Sequence, residues 1–230
     1  RVRSSAASDV YKRQILDPLL TTNLPANITA STGIDAMVHA IEAFTSINSN
    51  NNPVSKMLSI EALKLLGSSI KTAVFDGHNI NARSNMLLGS MLAGKAFANS
   101  PVAAVHALAY PIGGLFNISH GLSNSLVLPS VMKFNSKNEE TKKNYAHLSP
   151  YVFKNLDNSK NDEFLCNNFI DGLERLCKEL NLPYRLRDLE IPEEACKLMA
   201  SEAMKQTRLL VNNPRKIEES DAYNIYKSVW

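Results

Sequence analysis

The sequence predicts an all-α protein, built as an array of amphipathic helices. Apolar residues recur at intervals of three and four in segment after segment, as they do along the buried side of a helix. No stretch has the pattern of a convincing β-strand, and there is no internal repeat or low-complexity tract. We therefore expect strands at most in the short segment 19–25.

Length and composition are those of an ordinary globular protein. The chain has 230 residues, of which 44% are hydrophobic and 20% charged, enough for one large core or two small ones. Its 25 basic and 22 acidic residues are interspersed and give a formal charge of +3, which favours neither nucleic acid nor a membrane surface as a partner. No apolar run approaches the roughly 18 residues that a membrane span needs.

The cysteines indicate a reducing compartment. They are three, an odd number, and no two have the C-x-x-C spacing of a zinc or redox site: Cys166, Cys177 and Cys196. We recognise no secretory signal peptide. We therefore expect reduced thiols and a cytoplasmic protein.

The first fourteen residues, RVRSSAASDVYKRQ, differ abruptly in composition from the segment ILDPLL after them and have no apolar period. We interpret residues 1–14 as a translated cloning or assembly junction, with a transit peptide as the alternative. Residues 15–230 are then expected to form one helical domain, and a preceding portion of the native protein is expected to be missing.

Prolines, caps and periodicity predict the helix bounds. Segment 15–27 carries two prolines and is expected to be extended. Ser31 or Thr32 is expected to cap a first helix that runs to Phe44. Further helices are predicted over these ranges: 53–75, 81–99, 101–111, 120–134, 161–180, 191–210 and 220–230. Gly113–Gly114 is expected to break the chain, and 136–147 to be a charged turn.

The segment GSMLAGKA, residues 89–96, has the G-x-x-x-x-G-K spacing of a phosphate-binding loop. However, Ala96 stands where that motif needs Ser or Thr, and no strand precedes it. We interpret its small residues as a means of close helix packing.

The first helix carries an acid and an imidazole one turn apart, Asp35 and His39. Side chains four residues apart on a helix have Cβ atoms about 5–6 Å apart, so both can reach one ion. Glu42 lies beside this stripe, two turns along. The alternative is that Asp35 orients His39 or caps the first turn within a satisfied polar cluster, because a lone D-x-x-x-H pair is common.

Two further histidines, His106 and His120, lie on either side of the expected break at Gly113–Gly114, which would let two helices converge. Each histidine alone is more often a hydrogen-bonded core residue than a ligand. His78 and His147 lie in polar contexts, and we interpret them as surface residues.

One candidate set of metal ligands combines three imidazoles with one carboxylate: Asp35, His39, His106 and His120. Such a set suits Fe(II) or Zn(II) and is too rich in nitrogen for Mg²⁺ or Ca²⁺. The sequence has no H-E-x-x-H motif of a zinc protease and no paired E-x-x-H motifs of a di-iron bundle.

Two long motifs resemble the iron-containing (group III) alcohol dehydrogenases. They are TGIDAMVHAIEAF and AVHALAYPIGGLFNISHGLSNSLVLPSVMKFN, and DPLLTTNLP and NNPRKI near the two ends also look like that family. The resemblance covers essentially 15–230. It implies the all-helical C-terminal domain of a two-domain, dehydroquinate-synthase-like enzyme, whose N-terminal α/β domain holds most of the dinucleotide and is missing here.

The resemblance also implies residue roles. All four of the family's metal ligands are present, at the candidate positions above. Many members carry a further histidine near the nicotinamide where this sequence has Tyr110, which makes Tyr110 the candidate catalytic residue; the alternative, which we favour, is that Tyr110 only packs there. Phe97 falls where the family places an aromatic residue lining the pocket, so Phe97 and Tyr110 are the candidate cofactor-binding residues on the nicotinamide side; a plain core role for Phe97 is the alternative. We expect Phe97, Ala104 and Tyr110 to form an exposed apolar face around the metal mouth.

The implied activity is hydride transfer between a primary or secondary alcohol and NAD or NADP, with an aldehyde or ketone in the reverse direction. The metal would stabilise the alkoxide. The fragment alone is expected to be inactive, and a homodimer is left open. The alternatives are a helical metal-binding domain without catalysis and, less favoured, a metal-dependent hydrolase in which Glu42 would act as the base.

Overall fold

The computed structural model describes residues 15–153 and 160–230. Among these residues there are ten α-helices, two 3₁₀ turns (Pro18–Thr21 and Leu186–Leu189) and no β-strand. The helices are α1 (Ala26–Thr45), α2 (Pro53–Phe75), α3 (Ile80–Asn99), α4 (Ala104–Phe116), α5 (His120–Asn135), α6 (Glu139–Val152), α7 (Asp162–Glu179), α8 (Ala195–Met204), α9 (Thr207–Leu210) and α10 (Glu219–Ser228). The all-α prediction is confirmed. The predicted junction at 1–14 lies outside the described residues.

Helix α1 is the central element, and its apolar side chains are fully buried, with Ile34 and Met37 at 0% exposure. It packs against α2, α3 and α5. The helix begins at Ala26, after Pro25, and not near Ser31. The predicted cap is wrong because the Ser31 and Thr32 hydroxyls lie inside the helix and donate back to the carbonyl of Ile28, at 3.2 and 2.7 Å.

The lead-in before α1 is less extended than expected. Asp17 accepts a hydrogen bond from the backbone of Leu19 and begins the 3₁₀ turn Pro18–Thr21. The buried Arg83 of α3 then holds this segment, because its Nη2 donates to the Leu24 carbonyl at 3.2 Å. The other guanidinium nitrogens donate to Thr29 and Gly77, so one cation ties the lead-in, α1 and the α2–α3 turn together.

Helices α2 and α3 confirm the predicted ranges. Asn52 caps α2 through a reciprocal capping box with Ser55, and Pro53 occupies the first turn, where its missing N–H costs nothing. The segment that resembles a phosphate loop lies within α3. A Cβ at Gly89 would lie 2.8 Å from Leu66 Cγ, so this glycine serves close packing of α2 on α3, as the sequence indicated.

Helices α4 and α5 depart from the prediction in a way that matters for the site. Helix α4 begins at Ala104 and continues through Gly113–Gly114 to Phe116. The break falls instead at Asn117, which has the left-handed φ of 55° that asparagine tolerates. Helix α5 then begins at His120, as predicted, with Gly121 against the backbone of α1 at Ser31.

The second half of the chain contains one helix that the sequence analysis missed. The predicted charged turn at 136–147 is helix α6, whose first turn carries Glu139 and Glu140 at the positive end of the helix dipole. The predicted helix at 191–210 is divided into α8 and the single turn α9. Helices α7 and α10 agree with the predicted ranges.

All three cysteines are buried and unpaired. Burial raises the pKa of the Cys166 thiol to about 11 and that of Cys177 to about 12, and it also raises the pKa of Cys196. In the part of the chain that the structure describes, no helix combines the length and the apolar character needed to cross a bilayer.

Candidate metal centre

Four side chains from three helices converge on one point. Helix α1 supplies Asp35 and His39, α4 supplies His106, and α5 supplies His120 at its first position. Each offers one ligand atom, and these four atoms lie within 4.8 Å of one another. The structure therefore brings together the whole candidate set that the sequence pattern proposed.

The spacing of the donor atoms suits a small divalent ion. His106 Nε2 lies 3.1 Å from His39 Nε2 and 3.8 Å from Asp35 Oδ1, and His120 Nε2 lies 3.6 Å from the same oxygen. Four ligands at about 2.1 Å around a tetrahedral ion are about 3.4 Å apart, in the middle of these distances. The donor set thus fits Fe(II) or Zn(II), and these three distances are close to those of a tetrahedral site.

Exposure increases across the cluster from one ligand to the next. The side chain of His106 is 3% exposed, that of Asp35 18% and that of His120 45%. The cluster is therefore enclosed on the α4 side and open on the α5 side. An ion held there would be reached by a small molecule from the His120 side.

His39 is held as a neutral imidazole. Burial, with the nearby His106 as the next cause, lowers the pKa of His39 to about 4. The Phe97 ring stacks on the His39 ring, with centroids 4.7 Å apart and planes 19° apart. At neutral pH this ring is therefore uncharged, and one of its two nitrogens has a lone pair that could bind an ion.

Glu42 contacts the cluster indirectly. The side chain is 5% exposed, and its Oε2 lies 2.7 Å from His106 Nδ1. Its carboxylate also accepts hydrogen bonds from the backbone N–H groups of Ala103 and Val105. The hydrolase alternative requires Glu42 as a free base. Both of its carboxylate oxygens are engaged by these contacts, so the structure does not favour that role.

Asn124 is a second polar neighbour, and the sequence analysis did not single it out. The residue is fully buried, and its Nδ2 lies 2.5 Å from Asp35 Oδ1 and 3.2 Å from His120 Nε2. Its own Oδ1 has no hydrogen-bond partner among the described residues. The position four residues after His120 on one helix is the pattern that would have revealed it.

The two aromatic candidates are both partly exposed, and each lies beside a different histidine of the cluster. Tyr110 is 40% exposed and its ring centroid lies 5.9 Å from that of His120, while Phe97 is 36% exposed. Ala104 is fully buried, so its predicted place on an exposed apolar face is wrong; it begins α4 inside the core. His78 and His147 are exposed, as predicted, and outside the cluster.

Fold and site together define a class, a helical domain with a candidate mononuclear centre of three histidines and one aspartate. The profile of the Fe-containing alcohol dehydrogenase family, C-terminal part, matches residues 29–230. The chain belongs to this family.

Individual relatives agree with that assignment. Long-chain-alcohol dehydrogenase 1 of Geobacillus thermodenitrificans is 39% identical over 221 residues, which cover 94% of this chain and 53% of that protein. NAD-dependent methanol dehydrogenase of Bacillus methanolicus is 32% identical and is covered to 55%. A crystal structure of 1,3-propanediol oxidoreductase matches 93% of this chain and 55% of its own, with 33% identity and a TM-score of 0.87. The chain thus spans about half the length of the curated relatives it matches.

Proposed function

We propose that four side chains hold a divalent ion, Fe(II) or Zn(II), as the metal centre of an alcohol dehydrogenase: Asp35, His39, His106 and His120. The enzyme would transfer hydride between a primary or secondary alcohol and NAD or NADP, with an aldehyde or ketone as the reverse substrate. The observation that carries the proposal is the convergence of four donor atoms within 4.8 Å in a chain of this family.

A bound divalent ion would supply positive charge that polarises an alcohol or carbonyl oxygen. The chain's own residues would place that oxygen. Because His120 is the exposed ligand, the alcohol would approach from its side, past Tyr110. Phe97 covers one face of His39 and limits the access of water to that ligand.

Phe97 and Tyr110 would also meet the nicotinamide end of the dinucleotide, because both rings are partly exposed and lie against histidines of the cluster. We assign Tyr110 a packing role there. No hydrogen bond of its hydroxyl is found among the described residues, and the proton relay that a histidine could provide has no counterpart at this position. We further propose that the whole protein binds the complete dinucleotide and that it is cytoplasmic.

Metal binding is tested on the purified chain. After treatment with a chelator, it is reloaded with Fe(II) without oxygen or with Zn(II), and bound metal is measured. We expect one ion per chain, loss of binding in His106→Ala, and full retention in His147→Ala, a matched change of an exposed histidine outside the cluster. Equal metal content in both variants would contradict the proposed metal centre.

Dehydrogenase activity is tested on the protein encoded by the complete gene. We expect alcohol-dependent reduction of NAD⁺ or NADP⁺ that is abolished by a chelator and restored by Fe(II) or Zn(II). A metal-loaded protein that oxidises none of a series of primary and secondary alcohols would favour the alternative of a non-catalytic metal-binding domain.

A further inference from the structure

Glu42 is a buried carboxylate whose surroundings are unusual for an acid. Among the described residues, its only ion-pair partner is His106, and no lysine or arginine neutralises it. Removing a carboxylate from water is costly unless hydrogen bonds and opposite charge compensate. The compensation therefore has to come from the contacts it makes on α4 and from charge held nearby.

The first compensation is the start of helix α4. Ala103 is the N-cap of α4 and provides no side-chain cap of its own. Glu42 supplies one from α1, because its Oε2 accepts from the N–H of Ala103 at 2.9 Å and its Oε1 accepts from the N–H of Val105 at 2.6 Å. The positive end of the helix dipole lies beside the carboxylate at this place.

The second contact determines how His106 faces the cluster. Backbone N–H groups only donate and an ionised carboxylate only accepts, so the hydrogen in the 2.7 Å contact belongs to His106 Nδ1. The lone pair of the neutral ring is then on Nε2. That atom lies 3.1 Å from His39 Nε2, in the centre of the cluster.

We infer that Glu42 is a positioning residue of the metal centre: it fixes the tautomer of His106 and supplies, through that imidazole, a second negative charge close to the ion. This inference rests on the proposed metal centre. Three neutral imidazoles and Asp35 alone would leave a net charge of +1 around a divalent ion in a largely buried site. With Glu42 included, the charges sum to zero.

The tautomer can be read without any substitution. In the metal-free chain, labelled with ¹⁵N in histidine, long-range ¹H–¹⁵N spectra distinguish protonated Nδ1 from protonated Nε2, and His106→Asn identifies the signal by its loss. We expect His106 to carry its hydrogen on Nδ1. A hydrogen on Nε2 in the wild-type protein would overturn the inference.

The charge is tested with Glu42→Gln, which keeps the size of the side chain. One amide oxygen and one NH₂ group cannot accept from three N–H donors, and the negative charge is lost. We expect Zn(II) affinity, measured by competition with a chromophoric chelator, to fall about 10- to 100-fold, as for other residues that orient metal ligands. Glu42→Asp keeps the charge and should recover part of that loss.

Thr45→Val is the matched control, since Thr45 is buried on the same helix and its hydroxyl donates only to the Ile41 carbonyl. It should leave Zn(II) affinity unchanged. Affinity of Glu42→Gln equal to that of the wild type would refute the inference and leave the metal centre standing. Absence of Zn(II) binding by the wild type would refute the centre, while the tautomer still tests the contact. If Glu42→Gln does not fold, Glu42→Asp and the wild-type tautomer decide.

Discussion

The side-chain amide of Asn124 donates to a carboxylate oxygen of Asp35, a candidate metal ligand, with Nδ2 and Oδ1 2.5 Å apart. Turning the amide round would place two oxygens at that distance, which would be repulsive. The fold instead leaves Asn124 Oδ1 buried without a partner among the described residues, at a typical cost of about 1–3 kcal/mol. This orientation of the amide therefore lowers the free energy of unfolding and holds one carboxylate oxygen of Asp35 in place.

Asn124→Leu should therefore weaken metal binding without unfolding the chain. The change keeps the shape of the side chain, removes the donor to Asp35 and removes the unpartnered oxygen. We expect Zn(II) affinity to fall about 10-fold or more and the unfolding midpoint of the metal-free chain to stay level or rise. The control is Ser125→Ala on the same helix. Unchanged affinity in Asn124→Leu would contradict this role.

Metal ligation and proton relay are separated by His39→Ala and Tyr110→Phe. The first removes one of four donors, so metal content and activity of the complete protein should both collapse. The second removes only a hydroxyl on the open side, so metal content should stay at the wild-type level. With a packing role for Tyr110, kcat/KM should change little, whereas a general acid would lose about 10²-fold or more. Loss of metal in Tyr110→Phe would show that the roles are wrongly assigned.

Gly121 sets the approach of α5 to α1. A Cβ there would overlap the carbonyl group of Ser31, lying 2.8 Å from its carbon and closer to its oxygen. Gly121→Ala should force the helices apart, lower the unfolding free energy by about 1–3 kcal/mol and weaken metal binding, because His120 is the adjacent residue.

Gly94→Ala is the matched control for that substitution. Gly94 also lies within a helix, but a Cβ there meets nothing within 4 Å. We expect it to preserve metal affinity and to stabilise the chain by up to about 1 kcal/mol through helix propensity. Chemical denaturation and Zn(II) titration measure both quantities. A tolerated Gly121→Ala would show that α5 is free to shift.

Protonation of His39 should contribute to the loss of stability on acidification. Its pKa is lowered to about 4 in the folded chain, so the unfolded chain takes up a proton near pH 6.5 and the folded chain does not. Protonation of the unfolded chain should therefore lower the free energy of unfolding of the metal-free protein as the pH falls from 6.5 towards 4. Above pH 6.5 this loss should be absent.

Thermal unfolding of the metal-free wild type and His39→Gln between pH 7.5 and 4.5 measures this effect. Glutamine does not titrate, so the variant should show the shallower loss on acidification. His78→Gln, a change at an exposed histidine, should follow the wild type. Parallel curves for all three proteins would exclude His39 as the source.

The sequence was a good guide to the position of the candidate ligands on α1 and a weaker one to their neighbours. Asp35 and His39 were predicted to converge because both lie on one helix, where spacing alone fixes the geometry. The role of Glu42 was not predictable in the same way. Its partners on α4 are more than sixty residues away along the chain. Only the packing of α4 against α1 reveals them.

The predicted helix bounds were wrong where tertiary packing overrides the local conformational preference of the sequence. Gly113–Gly114 was expected to end a helix, yet α4 continues to Phe116. The fully buried Ile112 next to the glycines fixes this part of the helix in the core. Helix α6 was missed because its sequence is strongly polar and contains Pro150. The buried Tyr145 and Leu148 on one side of α6 hold it in place.

The three buried thiols should react only slowly with alkylating reagents in the native protein, because the thiolate is the nucleophile and burial disfavours it at all three sites. Iodoacetamide should therefore label the chain only as fast as it opens. In Ala98→Cys, a change at an exposed position beside Phe97, the new thiol would be the only one to take up a maleimide fluorophore. Such a dye would report ion occupancy in real time without removal of any native sulfur.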